Sequence, residues 1–285
     1  MPSASLQWAR LINDKKDIPE IFTSCLSQIL GDAITLPYLI YAPQDTWRGQ
    51  TIHDKLLFTH NNNAYILENS NGSIMVFCHA FEDIITIEHG KILLYSWIRI
   101  ESMIDDKVIH SIFQYNTVVE SFFKEIMQTI RNSIVSKKIK ANPNDKHGNF
   151  FSIEDLTCRL ENYTKSCLLP YQKVASAVFQ PAIFKRSWLI SKDLLIPNQL
   201  LILTSEELII YKEEFEKADI SKFGGIWSYI PLNKIRSLER IVDTSASLIV
   251  LSIQFYGSKK INLSYPLTRS DDVSSLISQI NAHIR

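Results

Sequence analysis

The sequence predicts an α+β, mainly β protein built from two copies of one β-rich fold. Each copy is closed by a C-terminal helix and preceded by an extra amphipathic helix. Three observations carry this expectation. A hairpin pattern occurs twice, in Lys55–Glu68 (KLLFTHNNNAYILE) and Gln199–Lys212 (QLLILTSEELIIYK), and the two align without a gap. The order helix, strands, closing helix runs once before and once after Ser136–Asn149. That stretch, SKKIKANPNDKHGN, holds almost nothing apolar and reads as a linker. The expected domains are residues 1–137 and 151–285, with a linker at 138–150.

The first helix is expected to open at Asp17-Ile-Pro-Glu20, with Asp17 as N-cap and Glu20 completing a capping box. Apolar residues at Ile18, Ile21, Phe22, Cys25, Leu26, Ile29 and Leu30 form one stripe. Its counterpart opens at Ser152–Asp155, with Ile153, Leu156, Leu160, Tyr163 and Cys167 as the stripe. A strand ending on proline follows each helix, Tyr38–Pro43 and Ala175–Pro181. The matched hairpins come next, turning at Asn61–Asn63 and at Ser205–Glu207. Further strands are expected at Ser73–His79, Ile84–His89, Lys91–Ile100 and Val108–Tyr115. In the second copy they fall at Ile226–Pro231, Ile235–Ile241, Ser247–Phe255 and Lys260–Tyr265. Asn71-Gly72 marks a tight turn.

Each copy then closes with a helix. Thr117 and Glu120 form a capping box ahead of Val119, Phe122, Phe123, Ile126, Met127 and Ile130. Asp271 or Asp272 caps the other, whose stripe is Val273, Leu276, Ile277 and Ile280. A helix apolar on one side needs a surface to lie on, and the strands supply the large one. Burial of about six side chains, at roughly 1.5–3 kcal/mol each, anchors it.

Composition narrows the function classes. The chain has 285 residues, 46% hydrophobic and 21% charged, enough for two packed cores. Lys plus Arg and Asp plus Glu both number 30, so no net field draws the protein to nucleic acid. The four cysteines, 25, 78, 158 and 167, have no CxxC or zinc-ligand spacing and read as buried, reduced thiols. The N-terminal MPSASLQWAR lacks the pattern of a signal peptide, and a cytoplasmic location is expected.

The hairpin Leu200–Tyr211 (LLILTSEELIIY), the segment Tyr229–Leu238 (YIPLNKIRSL) and its counterpart His79–Ile87 (HAFEDIITI) resemble bacterial pleckstrin-homology-like (PH/GRAM-like) domains. The resemblance implies that each copy is an antiparallel β-sandwich or open barrel of two nearly orthogonal sheets, with the closing helix plugging an open corner. It also implies a search for lipid-headgroup cations around the first hairpin. There the second copy has Lys173, Lys185, Arg186 and Lys192 with Trp188 among them, and the first copy has Trp47-Arg48. The position two after Lys185 is Ser187 rather than arginine, a departure from the headgroup-gripping pattern. Tryptophan and arginine are also the residues enriched at protein-interface hot spots.

Catalytic signatures are absent from the sequence: no GxSxG, no HExxH and no glycine-rich phosphate loop. Ser121-Phe-Phe-Lys124 fits a bare SxxK, but it falls on the exposed side of a helix stripe. His60, His79 and His89 fall on strands, and Cys78 beside His79 points to the opposite face, so no metal site is expected. The expectation is a non-enzymatic binding or scaffold protein without cofactor. Its partner would be a protein, or a second copy of itself, met through loops or strand edges. The alternative is peripheral attachment to anionic lipid through the basic hairpin of the second copy.

Overall fold

The computed structural model describes residues 7–31, 35–47, 49–135, 158–186, 192–213, 224–245 and 247–284. The expected linker at 138–150 and the expected helix start at Ser152–Asp155 lie outside them. The chain folds as two compact units: Met1–Ser102 with Ile109–Lys137, and Met103–Val108 with Lys138–Arg285.

The first half runs β1 (Arg10–Ile12), α1 (Glu20–Leu30), β2 (Leu39–Ala42), β3 (Asp45–Trp47), β4 (Gln50–Ile52), β5 (Lys55–His60), β6 (Asn63–Ser70) and β7 (Ser73–Ala80). It continues through a 3-10 turn to β8 (Ile84–Ile92), β9 (Tyr95–Ile104), β10 (Lys107–Asn116) and α2 (Glu120–Val135). From its helix onward, the second half repeats that order. It has α3 (Cys158–Cys167), β11 (Val174–Gln180), β12 (Ile183–Arg186), β13 (Lys192–Ile196), β14 (Gln199–Thr204), β15 (Glu207–Lys212) and β16 (Gly224–Pro231). After a 3-10 turn come β17 (Ile235–Asp243), β18 (Leu248–Phe255), β19 (Lys260–Pro266) and α4 (Ser270–Ile284). The protein is therefore mainly β with few helices.

Strand neighbours match as well. The first unit has the order β1-β2-β5-β6-β7 and the run β8-β9-β10, with β3-β4 as a separate ribbon. The second has β11-β14-β15-β16 and β17-β18-β19, with β12-β13 as the ribbon. Single backbone hydrogen bonds recur at matching places. Asn69 N–H donates to the Asp54 carbonyl at 3.0 Å, and Glu213 N–H to Asn198 at 2.9 Å. Phe81 N–H donates to Asn62 at 2.9 Å, and Leu232 N–H to Glu206 at 2.8 Å, tying each 3-10 turn to the preceding hairpin tip.

Local chemistry explains the turns. Asn61 and Asn62 have φ of 48° and 61°, and Asn71-Gly72 have 53° and 89°. Asparagine and glycine tolerate that region, and the result is the two-residue hairpin turn that matches strand twist. The helix starts differ from expectation. Asp14, not Asp17, caps: its carboxylate accepts from Lys16 N–H and opens a 3-10 turn, after which Pro19 occupies the N-cap of α1 without a side-chain bond. At α2, Asn116 accepts from Val118 N–H and opens a 3-10 turn, so Thr117 precedes the helix instead of capping it. Asp271 and Asp272 sit inside the first turn of α4, where negative charge favours the helix N-terminus. β8 extends to Ile92, so Lys91 belongs to that strand instead of beginning the next.

The core of the first unit is layered. Phe22 and Leu26 of α1 pack with Ile12, Leu39, Leu56, Phe58 and Leu67 on one sheet face. Strand alternation turns the fully buried Ile40, Leu57 and Ile66 to the other face. α2 buries Phe123, Ile126, Met127 and Ile130, with the Phe123 ring 3.6 Å from that of Tyr115 and nearly parallel to it. In the second unit Tyr163 of α3 meets Tyr211 and Trp227, and Val273, Leu276 and Ile280 of α4 are buried. Of the cysteines expected to be buried, Cys167 is, Cys25 is half-buried, and Cys78 is exposed because β7 is an outermost strand.

One close approach depends on glycine. Gly90 pairs with Trp97 across β8 and β9, and a Cβ at Gly90 would fall 1.9 Å from the indole. Gly90→Ala is expected to cost about 1–3 kcal/mol of overpacking. Thermal melting should fall, and Trp97 fluorescence should shift as its Nε1–H bond to Glu88, 2.9 Å long, is disturbed.

Candidate functional site

Buried polar side chains in the first unit form internal ties. His79 Nδ1 lies 2.8 Å from Ser102 Oγ and Nε2 lies 2.7 Å from Ser111 Oγ. A serine beside a histidine suggests nucleophile and base, but His79 and Ser102 are 0% exposed, so no substrate reaches them. Burial pushes the His79 pKa down to about 4, and the ring stays neutral, donating from one nitrogen and accepting at the other. The Tyr115 hydroxyl and His89 Nε2 are hydrogen-bonded at 2.8 Å, and burial takes the His89 pKa down to about 4 as well.

Lys55 is the other buried tie. Its Nζ reaches Glu68 at 3.0 Å, the Ile112 carbonyl at 2.8 Å and Gln114 Oε1 at 3.0 Å, joining β5 to β10. Burial lowers its pKa, and Glu68 opposes that effect. At the matching place in the second unit, Gln199 Nε2 donates to the Ser264 carbonyl of β19 at 2.6 Å. Among the described residues no group of three or more His, Cys, Asp or Glu side chains is placed to hold a metal. Ser121 is exposed on α2, and Lys124 there pairs with Glu120 at 3.4 Å.

The residues singled out in the sequence fall on the two extra ribbons and beside them. Trp47, half-buried at the end of β3, stacks on Tyr95 of β9 with centroids 4.9 Å apart and planes 13° from parallel. It pins its hairpin to β9. Arg48 and Trp188 lie outside the described residues. The backbone register of the β12–β13 ribbon sets Arg186 opposite Lys192 and Lys185 opposite Asp193. Lys173 is exposed one residue before β11, on a different element. The structure thus joins Lys185, Arg186 and Lys192 on one ribbon and leaves Lys173 apart. Two further residues of that ribbon, not singled out in the sequence, are Phe184 and Leu195, both exposed. Their apolar character is visible in the sequence, but their exposure is not.

Depressions among the described residues include two beside sheet-edge strands. One, about 680 Å³, lies beside β1 and is lined by Leu11–Lys15 and Thr35–Leu39. The other, about 180 Å³, lies between β11 and the start of α4. No protein-family model and no curated protein matches the chain.

Proposed function

We propose that this chain is a non-enzymatic binding or scaffold protein made of two duplicated PH-like units that meet a protein partner through ribbons and strand edges. The observation supporting this most is the repeated order of strands ending in a helix that packs on them, with Lys55, His79 and His89 committed to internal bonds. Buried groups spent on holding the fold leave the surface to do the recognising. β7 and β17 end their sheets in the described structure, and they carry exposed Met75, Val76, Ile241 and Val242. Such edges pair with other chains unless blocked. Affinity capture with the full chain and with a Trp47→Ala/Trp188→Ala variant tests the ribbons. Recovery of a specific partner should fall about tenfold, as for hot-spot aromatics, whereas unchanged recovery removes the ribbons from the reading.

A second reading has its own observation. The backbone register of the β12–β13 ribbon sets Arg186 opposite Lys192, with Lys185 beside Arg186 in sequence. Exposed Phe184 and Leu195 on the same ribbon add apolar area. That pairing of cations with apolar side chains suits the surface of an anionic bilayer. Flotation with phosphatidylserine vesicles should carry the protein up, and Lys185→Ala/Arg186→Ala should keep it at the bottom. Equal flotation of both forms ends this reading.

A further inference from the structure

The turn between β8 and β9 breaks a rule that the other turns keep. Ile92 pairs with Tyr95, so Leu93 and Leu94 form the whole loop. Leu93 has a φ of 52°, left-handed backbone in which a bulky side chain is strained. Every other non-glycine residue with positive φ among the described residues is Asn, Asp or Ser. Glycine followed by asparagine would make such a turn without strain. Two leucines stand there instead, 46% and 44% exposed. Val118, at the entry to α2, is 56% exposed.

The tip is fastened. Thr117 N–H donates to the Leu94 carbonyl at 3.1 Å, Ser96 Oγ and Thr117 Oγ1 are hydrogen-bonded at 2.8 Å, and Lys91 Nζ meets Glu120 at 2.6 Å. These bonds tie the turn to the entry of α2, and Val118 is one residue from the contact. Behind the leucines, Tyr95 carries the Trp47 ring stacked on it. The second unit keeps the same fastening, Leu267 N–H to the Ser247 carbonyl at 3.2 Å, but its turn carries Thr244, Ser245 and Ser247. The leucines are therefore not a requirement of that corner of the fold.

We propose that the Leu93–Leu94 tip inserts into a lipid bilayer, with Val118 following it and the Trp47–Tyr95 pair meeting the headgroup boundary. A stable protein interface takes about 800 Å² from each partner, far more than three side chains about half exposed offer. A two-residue hairpin turn is convex, and a bilayer accepts a convex apolar tip without a matching groove. Tryptophan and tyrosine are the rings that lie at the membrane–water boundary. Glu120 carries Lys91 at 2.6 Å and Lys124 at 3.4 Å, so this rim brings more cation than anion to the headgroups. Strain held at Leu93 suits a position kept for what it touches, since the fold alone would be better served by glycine. The proposal goes beyond the protein-binding reading and shares no residue with the β12–β13 ribbon.

The test uses the full chain and vesicles of phosphatidylcholine alone, which offer a basic ribbon no net charge. Leu94→Trp places a reporter at the tip. Its emission should shift to the blue as vesicles are added and be quenched by brominated acyl chains, beyond any change in the unsubstituted chain. Half-saturation should fall near about 1 mM lipid, weaker than the roughly 10⁴ M⁻¹ of one myristoyl chain. Co-sedimentation with the same vesicles should weaken about tenfold in Leu93→Gly/Leu94→Asn, while the melting temperature holds or rises because the turn is relieved. If that variant melts lower, Val118→Asn, at an exposed position, should weaken co-sedimentation about threefold with melting unchanged. No blue shift up to about 5 mM lipid, or co-sedimentation equal to that of the unsubstituted chain in these variants, overturns the proposal. Association with a protein through the tip, without vesicle binding, overturns it too. Lys185→Ala/Arg186→Ala should co-sediment with phosphatidylcholine as the unsubstituted chain does. A loss confined to that variant would assign the binding to the ribbon and remove the tip.

Discussion

Lys55→Ala is expected to destabilise the first unit by about 3–5 kcal/mol, the range for breaking a buried ion pair by removing one partner. The Lys55 side chain is 4% exposed and that of Glu68 16%, so the carboxylate left behind has little water to turn to. The Ile112 carbonyl and the Gln114 amide lose their donor at the same time. Urea unfolding followed by amide exchange across β5 and β10 would measure this. The second unit suggests the compensated version, since Gln199 faces Lys212 where Lys55 faces Glu68. Lys55→Gln/Glu68→Lys should recover roughly half or more of the loss, because the pair is coupled and no longer leaves an anion alone. A double variant as unstable as the single one would refute the equivalence of the two positions.

Acid should unfold the first unit before the second. His79 and His89 titrate at about 4 in the folded chain because burial disfavours the imidazolium, against an ordinary value of 6.5. Between pH 6.5 and 4 the unfolded chain takes up protons that the folded chain refuses, so stability falls as pH drops through that window. Above the ordinary histidine value it is fully present. Each histidine accounts for about 3 kcal/mol across the window, a large share of an ordinary domain's margin. The Glu120 carboxyl, held down by Lys91 and Lys124 against the upward pull of burial, adds a further loss below the usual carboxylate range. The described residues of the second unit before the end of α4 contain no histidine but His283 in its last turn. Denaturant titrations from about pH 7 to about pH 4 should show a first-unit midpoint that moves and a second-unit midpoint that holds. His79→Gln/His89→Gln should flatten the moving one, and a slope unchanged by that variant would remove these rings as its cause.

Apolar periodicity makes the long elements legible: the hairpins Lys55–Glu68 and Gln199–Lys212, the strands after them, and the stripes of α1, α2 and α4. What it cannot reveal is set by geometry between distant residues. β1 is three residues long, too short for alternation to register, and it exists because Leu39–Tyr41 offer an edge to pair with. The ribbons β3–β4 and β12–β13 have mixed composition, and the first is held by the contact of Trp47 on Tyr95. Helix caps are ambiguous in the sequence because two candidate acceptors lie within one turn, and Pro19 resolves α1 by removing a donor. At the candidate sites, Trp47 and the basic residues are legible as residue types. The pocket beside β11 is not, since residues of that strand and of the α4 entry, distant in sequence, line it together.

The mismatch between Lys55/Glu68 and Gln199/Lys212 also bears on how a newly made chain avoids tangling. Two successive hairpins of equal length and register invite strand exchange while both are still forming. Pairing β5 with β15 would bring Lys55 against Lys212, and pairing β14 with β6 would leave Glu68 facing an amide instead of its cation. Both wrong partnerships place charge in the interior without its counter-ion, so each hairpin closes on its own half.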